Sequence, residues 1–184
     1  MGTLLSLNFR SIAITAALLG AAVPRALSGQ SAPVKVDPSW MTVKAADSTV
    51  EFRLTAGMTP ANGGMNFDGA TKGALTLTVP VKWHVVLHFM NDDENMPHSA
   101  EVTVVQNPVP AAPAKPVFPG AESKDATMGV NAGSRQDVHF TADQPGSFVI
   151  VCEVPGHGAA GMWIRLAVSA TASRPDVQPA TPTP

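Results

Sequence analysis

The chain has 184 residues, of which 45% are apolar and only 14% are charged, and its formal net charge is −2 at pH 7. A chain of this length can bury a sizeable core, and it lacks the basic excess that is typical of nucleic-acid-binding proteins. We therefore expect one folded domain and no nucleic-acid partner.

The N-terminal segment has the pattern of a secretory leader. Arg10 precedes an apolar run over residues 11–23, and Ala26-Leu27-Ser28 places small residues at the −3 and −1 positions of a cleavage site. We expect residues 1–28 to be a signal peptide and the protein to be exported, to the periplasm or to the outer face of the cytoplasmic membrane. The apolar run is shorter than the roughly 20 residues that cross a bilayer, so membrane attachment would require an uncleaved leader that acts as an anchor.

Seven short runs rich in apolar and β-branched residues follow, and turn residues separate them. In WHVVLHF, Trp83, Val85, Leu87 and Phe89 share one face, as expected for a half-buried strand. These runs predict an all-β protein, a two-sheet β-sandwich over residues 49–170 that follows an N-terminal extension over residues 29–48. The runs are Val50–Leu54, Leu75–Val79, His84–Met90, Ala100–Val105, Asp137–Thr141, Phe148–Cys152 and Trp163–Val168.

Two segments depart from this strand pattern. Residues 107–135 form a long Pro-rich connection, whose prolines exclude central strands over its first half. This connection must span the height of the sandwich, so residues 128–133 should finish near the end of the sandwich that carries Cys152. The tail over residues 171–184, which contains SRPDVQPATPTP, has the composition of a disordered segment.

The stretch VCEVPGHGAAGMW contains the only cysteine of the chain, so an internal disulfide is excluded. Cys152, His157 and Met162 follow one another at intervals of five residues, and the small residues between them allow a tight loop. Thiolate, imidazole and thioether suit copper, whereas calcium and magnesium require oxygen ligands. A copper site for electron transfer uses two His, one Cys and a weak axial Met. His98 in NDDENMPHSAEV is the best candidate for the second His, because a rigid Met-Pro step precedes it and a strand follows.

The segment CEVPGHGAAGMW, with NMPHS upstream, resembles the cupredoxins, most closely those of the sulfocyanin and rusticyanin type. The resemblance covers roughly residues 65–168. It implies a Greek-key β-sandwich that holds one type 1 copper ion through His98, Cys152, His157 and Met162. It also implies that the protein shuttles single electrons and is not an enzyme.

The resemblance also bears on redox potential and partners. Ser99 follows the first His, as in the rusticyanin-like members, and this implies a high potential. We expect a redox protein as donor and another as acceptor, such as a cytochrome or a terminal oxidase, and we expect the protein to be a monomer. The small residues Gly156, Gly158, Ala159 and Ala160 around His157 predict an apolar docking patch.

Several alternatives remain open from the residues alone. The motif also suits an extracytoplasmic copper chaperone or carrier, a copper-binding subunit of an oxidase or nitrite reductase, or a zinc site. A multicopper enzyme would need further ligands, and only His84, His88 and His139 remain for that purpose. Cys152 can also be read as a buried structural thiol. The acidic turn Asp92-Asp93-Glu94 is either a solvated loop or a partner patch on the rim of the copper site.

Overall fold

The computed structural model describes residues 1–2, 34–110 and 114–183. The signal peptide that we predict for residues 1–28 therefore lies outside the described residues, except for its first two positions. Within these ranges, none of the helices has the length and apolar character needed to span a membrane.

Nine β-strands form the secondary structure of the described residues, together with three 3-10 helices of three or four residues. All seven predicted runs are confirmed as strands, and two further strands were not predicted, β1 and β9. The strands are β1 (Met41–Lys44), β2 (Thr49–Ala56), β3 (Leu75–Pro80), β4 (His84–Asn91), β5 (Glu101–Val104), β6 (Arg135–Thr141), β7 (Gly146–Val151), β8 (Trp163–Ser169) and β9 (Asp176–Pro179).

The strands form two mixed sheets, so the expected all-β sandwich is confirmed. The first sheet has the order β1-β2-β4-β6 and the second has the order β5-β7-β8-β3-β9. β2 runs parallel to β4, and β3 runs parallel to β8, whereas the other neighbouring pairs are antiparallel. Neighbours in space that are distant in sequence, such as β3 and β8, require the connections to cross between the sheets.

Alternating side chains build the core between the two sheets. In β2 the inward Val50, Phe52 and Leu54 are fully buried, and Glu51 and Arg53 between them face outward. Each strand of the sandwich that follows this period of two contributes one apolar face to the core. The largest fully buried apolar side chains are Phe52, Phe67, Phe89, Phe118, Leu54, Leu75, Leu87, Ile150, Met162, Ile164 and Leu166.

Strand direction brings the predicted ligands to one end of the sandwich, which we call the site end. β7 finishes at Val151, where it pairs with both Glu101 at the start of β5 and Trp163 at the start of β8. His98 therefore precedes a strand, and Cys152 follows one, at the same end of the second sheet. The sandwich brings these two residues together although they are 54 positions apart in the sequence.

The long connection reaches the site end as expected. His98 and Val130 form an isolated antiparallel bridge, with the His98 N–H donating to Val130 O at 3.2 Å and the Val130 N–H donating to His98 O at 2.8 Å. A side chain at Gly129 would collide with the backbone of His98, so the connection packs directly against the predicted ligand. Residues 111–113 of this connection lie outside the described residues.

The expectation of a disordered C-terminal tail is wrong for the part of it that the structure describes. Asp176–Pro179 form β9, which pairs with β3 and extends the second sheet at its edge. Beyond the strand, the Thr183 N–H donates to Lys72 O at 2.8 Å, and Arg165 donates to Thr183 Oγ1 at 2.9 Å. A proline-rich composition predicts disorder only where no neighbouring strand offers unpaired backbone groups, and here β3 offers them.

Candidate metal centre

His98, Cys152 and His157 converge at the site end. The Nδ1 atoms of the two imidazoles lie 3.3 Å apart. The Cys152 Sγ lies 3.5 Å from the Nδ1 of His157 and 3.9 Å from the Nδ1 of His98. Within the part of the chain that the structure describes, this is the single group of three or more His, Cys, Asp or Glu side chains with metal-binding geometry.

The loop between β7 and β8 carries His157 and Met162. The His157 N–H donates to Val154 O at 3.0 Å, and the His157 carbonyl accepts the Met162 N–H at 3.0 Å. The Cys152 N–H in turn donates to Met162 O at 3.1 Å. These bonds hold all three residues of the motif in one tight loop, and the Met162 side chain is fully buried. Gly161 has a φ of +105°, a conformation that few residues other than glycine adopt.

Ser99 lies next to the sulfur atom. Its backbone N–H donates to Cys152 Sγ at 3.4 Å, and its hydroxyl oxygen lies 3.7 Å from the same sulfur. That oxygen also accepts the Glu153 N–H at 2.9 Å, which leaves the hydroxyl proton free to point toward the sulfur. Ser99 can therefore place two donors on a thiolate at position 152.

Burial sets the protonation of the three donors. It lowers the pKa of His98 and of His157, and it raises the pKa of Cys152 although Ser99 donates to the sulfur. Both imidazoles are thus biased toward the neutral form that binds a cation. A nucleophilic cysteine requires a lowered pKa, so the raised pKa of Cys152 argues against a catalytic thiol.

The chemistry of this donor set fits a copper ion. Separations of 3.3 to 3.9 Å between donors are those expected around one ion whose bonds to nitrogen and sulfur measure about 2.0–2.3 Å. Two imidazoles and a thiolate also suit zinc, but a fully buried thioether in the same loop favours copper. The four predicted residues thus fit the type 1 copper that the motif implied.

The other three histidines lie on the outer face of the first sheet. The rings of His84 and His139 stack with centroids 5.8 Å apart, and His88 Nδ1 lies 2.8 Å from an Asp137 carboxylate oxygen. None of them approaches the predicted centre.

Asp93 is the residue of the site that the sequence did not reveal. It belongs to the acidic turn that we interpreted as solvated or as a partner patch, yet it is buried and its Oδ2 lies 3.1 Å from His98 Nε2. Its neighbours Asp92 and Glu94 are exposed, as the composition of the turn suggested. Spacing along the turn carries no signal that separates the one buried carboxylate from the two exposed ones.

Sequence comparisons relate this chain to sulfocyanin and rusticyanin. A family model described as the sulfocyanin (SoxE) domain matches residues 38–178. Sulfocyanin of Sulfolobus acidocaldarius is 26% identical over 117 residues, which cover 60% of this chain and 58% of that protein. Rusticyanin of Acidithiobacillus ferrooxidans is 29% identical over 138 residues, which cover 69% of this chain and 85% of that protein.

Solved structures show the same fold. A crystal structure of variant rusticyanin superposes with a TM-score of 0.53 at 18% identity, covering 76% of this chain and 88% of that chain. Reduced rusticyanin superposes with a TM-score of 0.50 at 19% identity, covering 71% of this chain and 91% of that chain. The β-sandwich, the donor set at its site end and the match over residues 38–178 together lead to one assignment: the chain belongs to the sulfocyanin family of cupredoxins.

Proposed function

We propose that this protein is a mononuclear type 1 blue copper protein that shuttles single electrons between redox partners outside the cytoplasm. The observation that carries the proposal is the convergence of His98 Nδ1, His157 Nδ1 and Cys152 Sγ within 4.8 Å of one another. His98, Cys152 and His157 would be the three strong ligands, and Met162 the weak axial one. Bound copper would supply a centre that alternates between Cu(II) and Cu(I).

The protein supplies a rigid frame for that change of oxidation state. His98 is anchored by the bridge to Val130, and Cys152, His157 and Met162 are joined by backbone hydrogen bonds. His98, Cys152 and Met162 are also closed off by packing, since each is at most 1% exposed. A centre held this firmly gives a substrate no route to the ion, which favours electron transfer over catalysis.

We also propose a high reduction potential, for which Ser99 and burial provide the reason. Hydrogen bonds to the sulfur and an apolar surrounding reduce electron donation from the thiolate and so favour Cu(I). Substitution Ser99→Asn keeps the backbone donor but removes the hydroxyl that lies 3.7 Å from Cys152 Sγ. The midpoint potential should fall, and an unchanged potential would remove the Ser99 hydroxyl from the explanation.

The half-buried ring of His157 marks the route for electrons. Pro155, Gly156, Ala159 and Ala160 around it are exposed, and together they form a small apolar surface that we call the docking patch. Gly158, which we expected in this patch, is buried. A cytochrome or a terminal oxidase is the kind of partner we propose for this patch. Export follows from the leader pattern over residues 1–28, and a monomer suffices because one chain contains all four ligands.

A copper chaperone is the second candidate, because it uses similar soft ligands. A chaperone would release its copper rapidly to a mild chelator, whereas a buried four-ligand centre should release it slowly. Copper analysis after purification, followed by cyclic voltammetry and chelator challenge, separates the two functions. One copper per chain, a reversible one-electron wave and slow release support the electron carrier. More than one copper per chain would favour a subunit of an oxidase or nitrite reductase.

A further inference from the structure

Asp93 lies behind His98, on the side of the ring that faces away from the other ligands. The Nδ1 of His98 points toward Cys152 and His157, so this nitrogen must be unprotonated when it binds a metal. The ring proton is then on Nε2, which donates to Asp93 Oδ2 at 3.1 Å. His98 is fully buried and Asp93 is 7% exposed, so this hydrogen bond to a charged carboxylate is sheltered from water.

The hydrogen bonds of the turn fix the orientation of the Asp93 carboxylate. The Asp93 N–H donates to Asn91 Oδ1 at 2.9 Å, and Asp93 Oδ1 accepts the Asn95 N–H at 2.8 Å. Asn91 Nδ2 donates in turn to Met96 O and to Val130 O, at 2.8 Å in both cases. One carboxylate oxygen is thus engaged by the turn itself, and the other faces His98.

Two glycines of the loop after β2 pack against Asp93. Gly57 and Gly64 both have positive φ angles, of +70° and +91°. A Cβ atom at Gly57 would overlap the Cα and Cβ of Asp93, and one at Gly64 would collide with its Oδ2. The loop after β2 therefore packs closely against Asp93, and a side chain at either glycine would displace it.

We propose that Asp93 is a positioning residue that orients His98 through Nε2 and lowers the reduction potential of the copper centre. The inference rests on the proposed function. A buried negative charge close to the ion favours Cu(II), which carries one more positive charge than Cu(I). A carboxylate on the second ring nitrogen also makes the imidazole a stronger donor to the metal. Asp93 thus acts against Ser99 and burial, and the working potential is the balance of the two.

The isosteric substitution Asp93→Asn tests the charge, because the amide oxygen can still accept from His98 Nε2. Asp92→Asn is the matched control: it removes the same charge from the adjacent, exposed position. We expect Asp93→Asn to shift the Cu(II)/Cu(I) equilibrium toward Cu(I) by at least tenfold, which is about 59 mV for one electron. Asp92→Asn should shift it less than twofold at moderate salt, since exposed charges are screened. Equal shifts in the two variants would overturn the proposal.

A second measurement keeps the test independent of how the variant folds. In NMR spectra of the copper-free wild-type protein, the His98 Nε2 proton should appear as a slowly exchanging resonance shifted downfield by the carboxylate. A rapidly exchanging proton would overturn the positioning role. This measurement needs no copper, so it stands even if the wild-type protein fails to form a blue copper centre, an outcome that would remove the proposed function instead.

Discussion

Four polar groups from two segments of the chain lie close to the Cys152 sulfur. His98 and Ser99 lie just before β5, His157 lies in the loop after β7, and Cys152 itself directly follows β7. Each approach is set by a backbone hydrogen bond or a close packing contact, so the fold itself brings the donor atoms together.

Asp68 is a buried carboxyl group whose protonation makes the stability of the fold depend on pH. Burial raises the pKa of Asp68 to about 7, while its Oδ1 accepts the Thr55 N–H at 2.9 Å. An unfolded chain releases this proton near pH 3.9, so between about pH 4 and 7 the unfolded state loses it first and stability falls as the pH rises. Asp68→Asn keeps the acceptor and should raise the free energy of unfolding at pH 8 by up to roughly 4 kcal/mol.

Denaturant unfolding of the copper-free protein at pH 5 and pH 8 measures this effect. The gain from Asp68→Asn should be clearly larger at pH 8 than at pH 5. Asp143→Asn, at an exposed turn, is the control that should change little at either pH. An equal effect of Asp68→Asn at both pH values would show that Asp68 is ionised throughout.

The sequence predicted some residues of the site and not others, for a physical reason. Cys152, His157 and Met162 lie in one loop, so their spacing alone indicated that they meet. His98 is distant in the sequence, and only its place between the rigid Met96-Pro97 step and the following strand indicated it. Asp93 could not be found, because burial depends on Gly57 and Gly64 from another loop and not on its own neighbours.

At the scale of elements, strands with strict alternation were predictable and edge strands were not. β2 and β8 bury alternate residues, so their pattern is visible in the sequence. β1 and β9 each have four residues and bury little, so they form because a neighbouring strand offers backbone hydrogen bonds. Their existence follows from tertiary structure, which a short polar pattern does not encode.

A substitution at Val177 tests whether β9 stabilises the sandwich. Its side chain packs against the core, whereas that of Gln178 is exposed on the other face of the same strand. Val177→Asp should lower the free energy of unfolding by about 2 kcal/mol, because it removes apolar contact and buries part of a charge. Gln178→Asp should change it by less than about 0.5 kcal/mol. Equal values for the two variants, in urea titrations, would mean that β9 contributes nothing.

At the scale of the whole molecule, the ligands and the docking patch share one end of the sandwich. The turn over residues 142–146 lies at the opposite end, because it leads into the start of β7, and β7 finishes at the site end. Electrons should therefore enter and leave near His157, whose ring is half-buried, and not through the sheets.

Electron self-exchange between two copies measures the docking patch without an identified partner. Ala159→Glu places a carboxylate on the patch, so two copies would meet with like charges and a desolvation cost. We expect self-exchange, measured by NMR in mixed Cu(I)/Cu(II) samples, to slow by about tenfold or more with an unchanged copper spectrum. Gln144→Glu adds the same charge at the opposite end and should leave the rate nearly unchanged. Equal slowing in both variants would place the exchange surface elsewhere.

Cys152 should bind copper as a thiolate together with two imidazoles. Visible absorption and EPR spectra of the protein after addition of Cu(II), with Cys152→Ala as the control, test it most directly. We predict an intense visible thiolate-to-copper band and a narrow copper hyperfine splitting, which reductant removes and which the variant lacks. A colourless protein with ordinary Cu(II) parameters would mean that Cys152 is not a copper ligand.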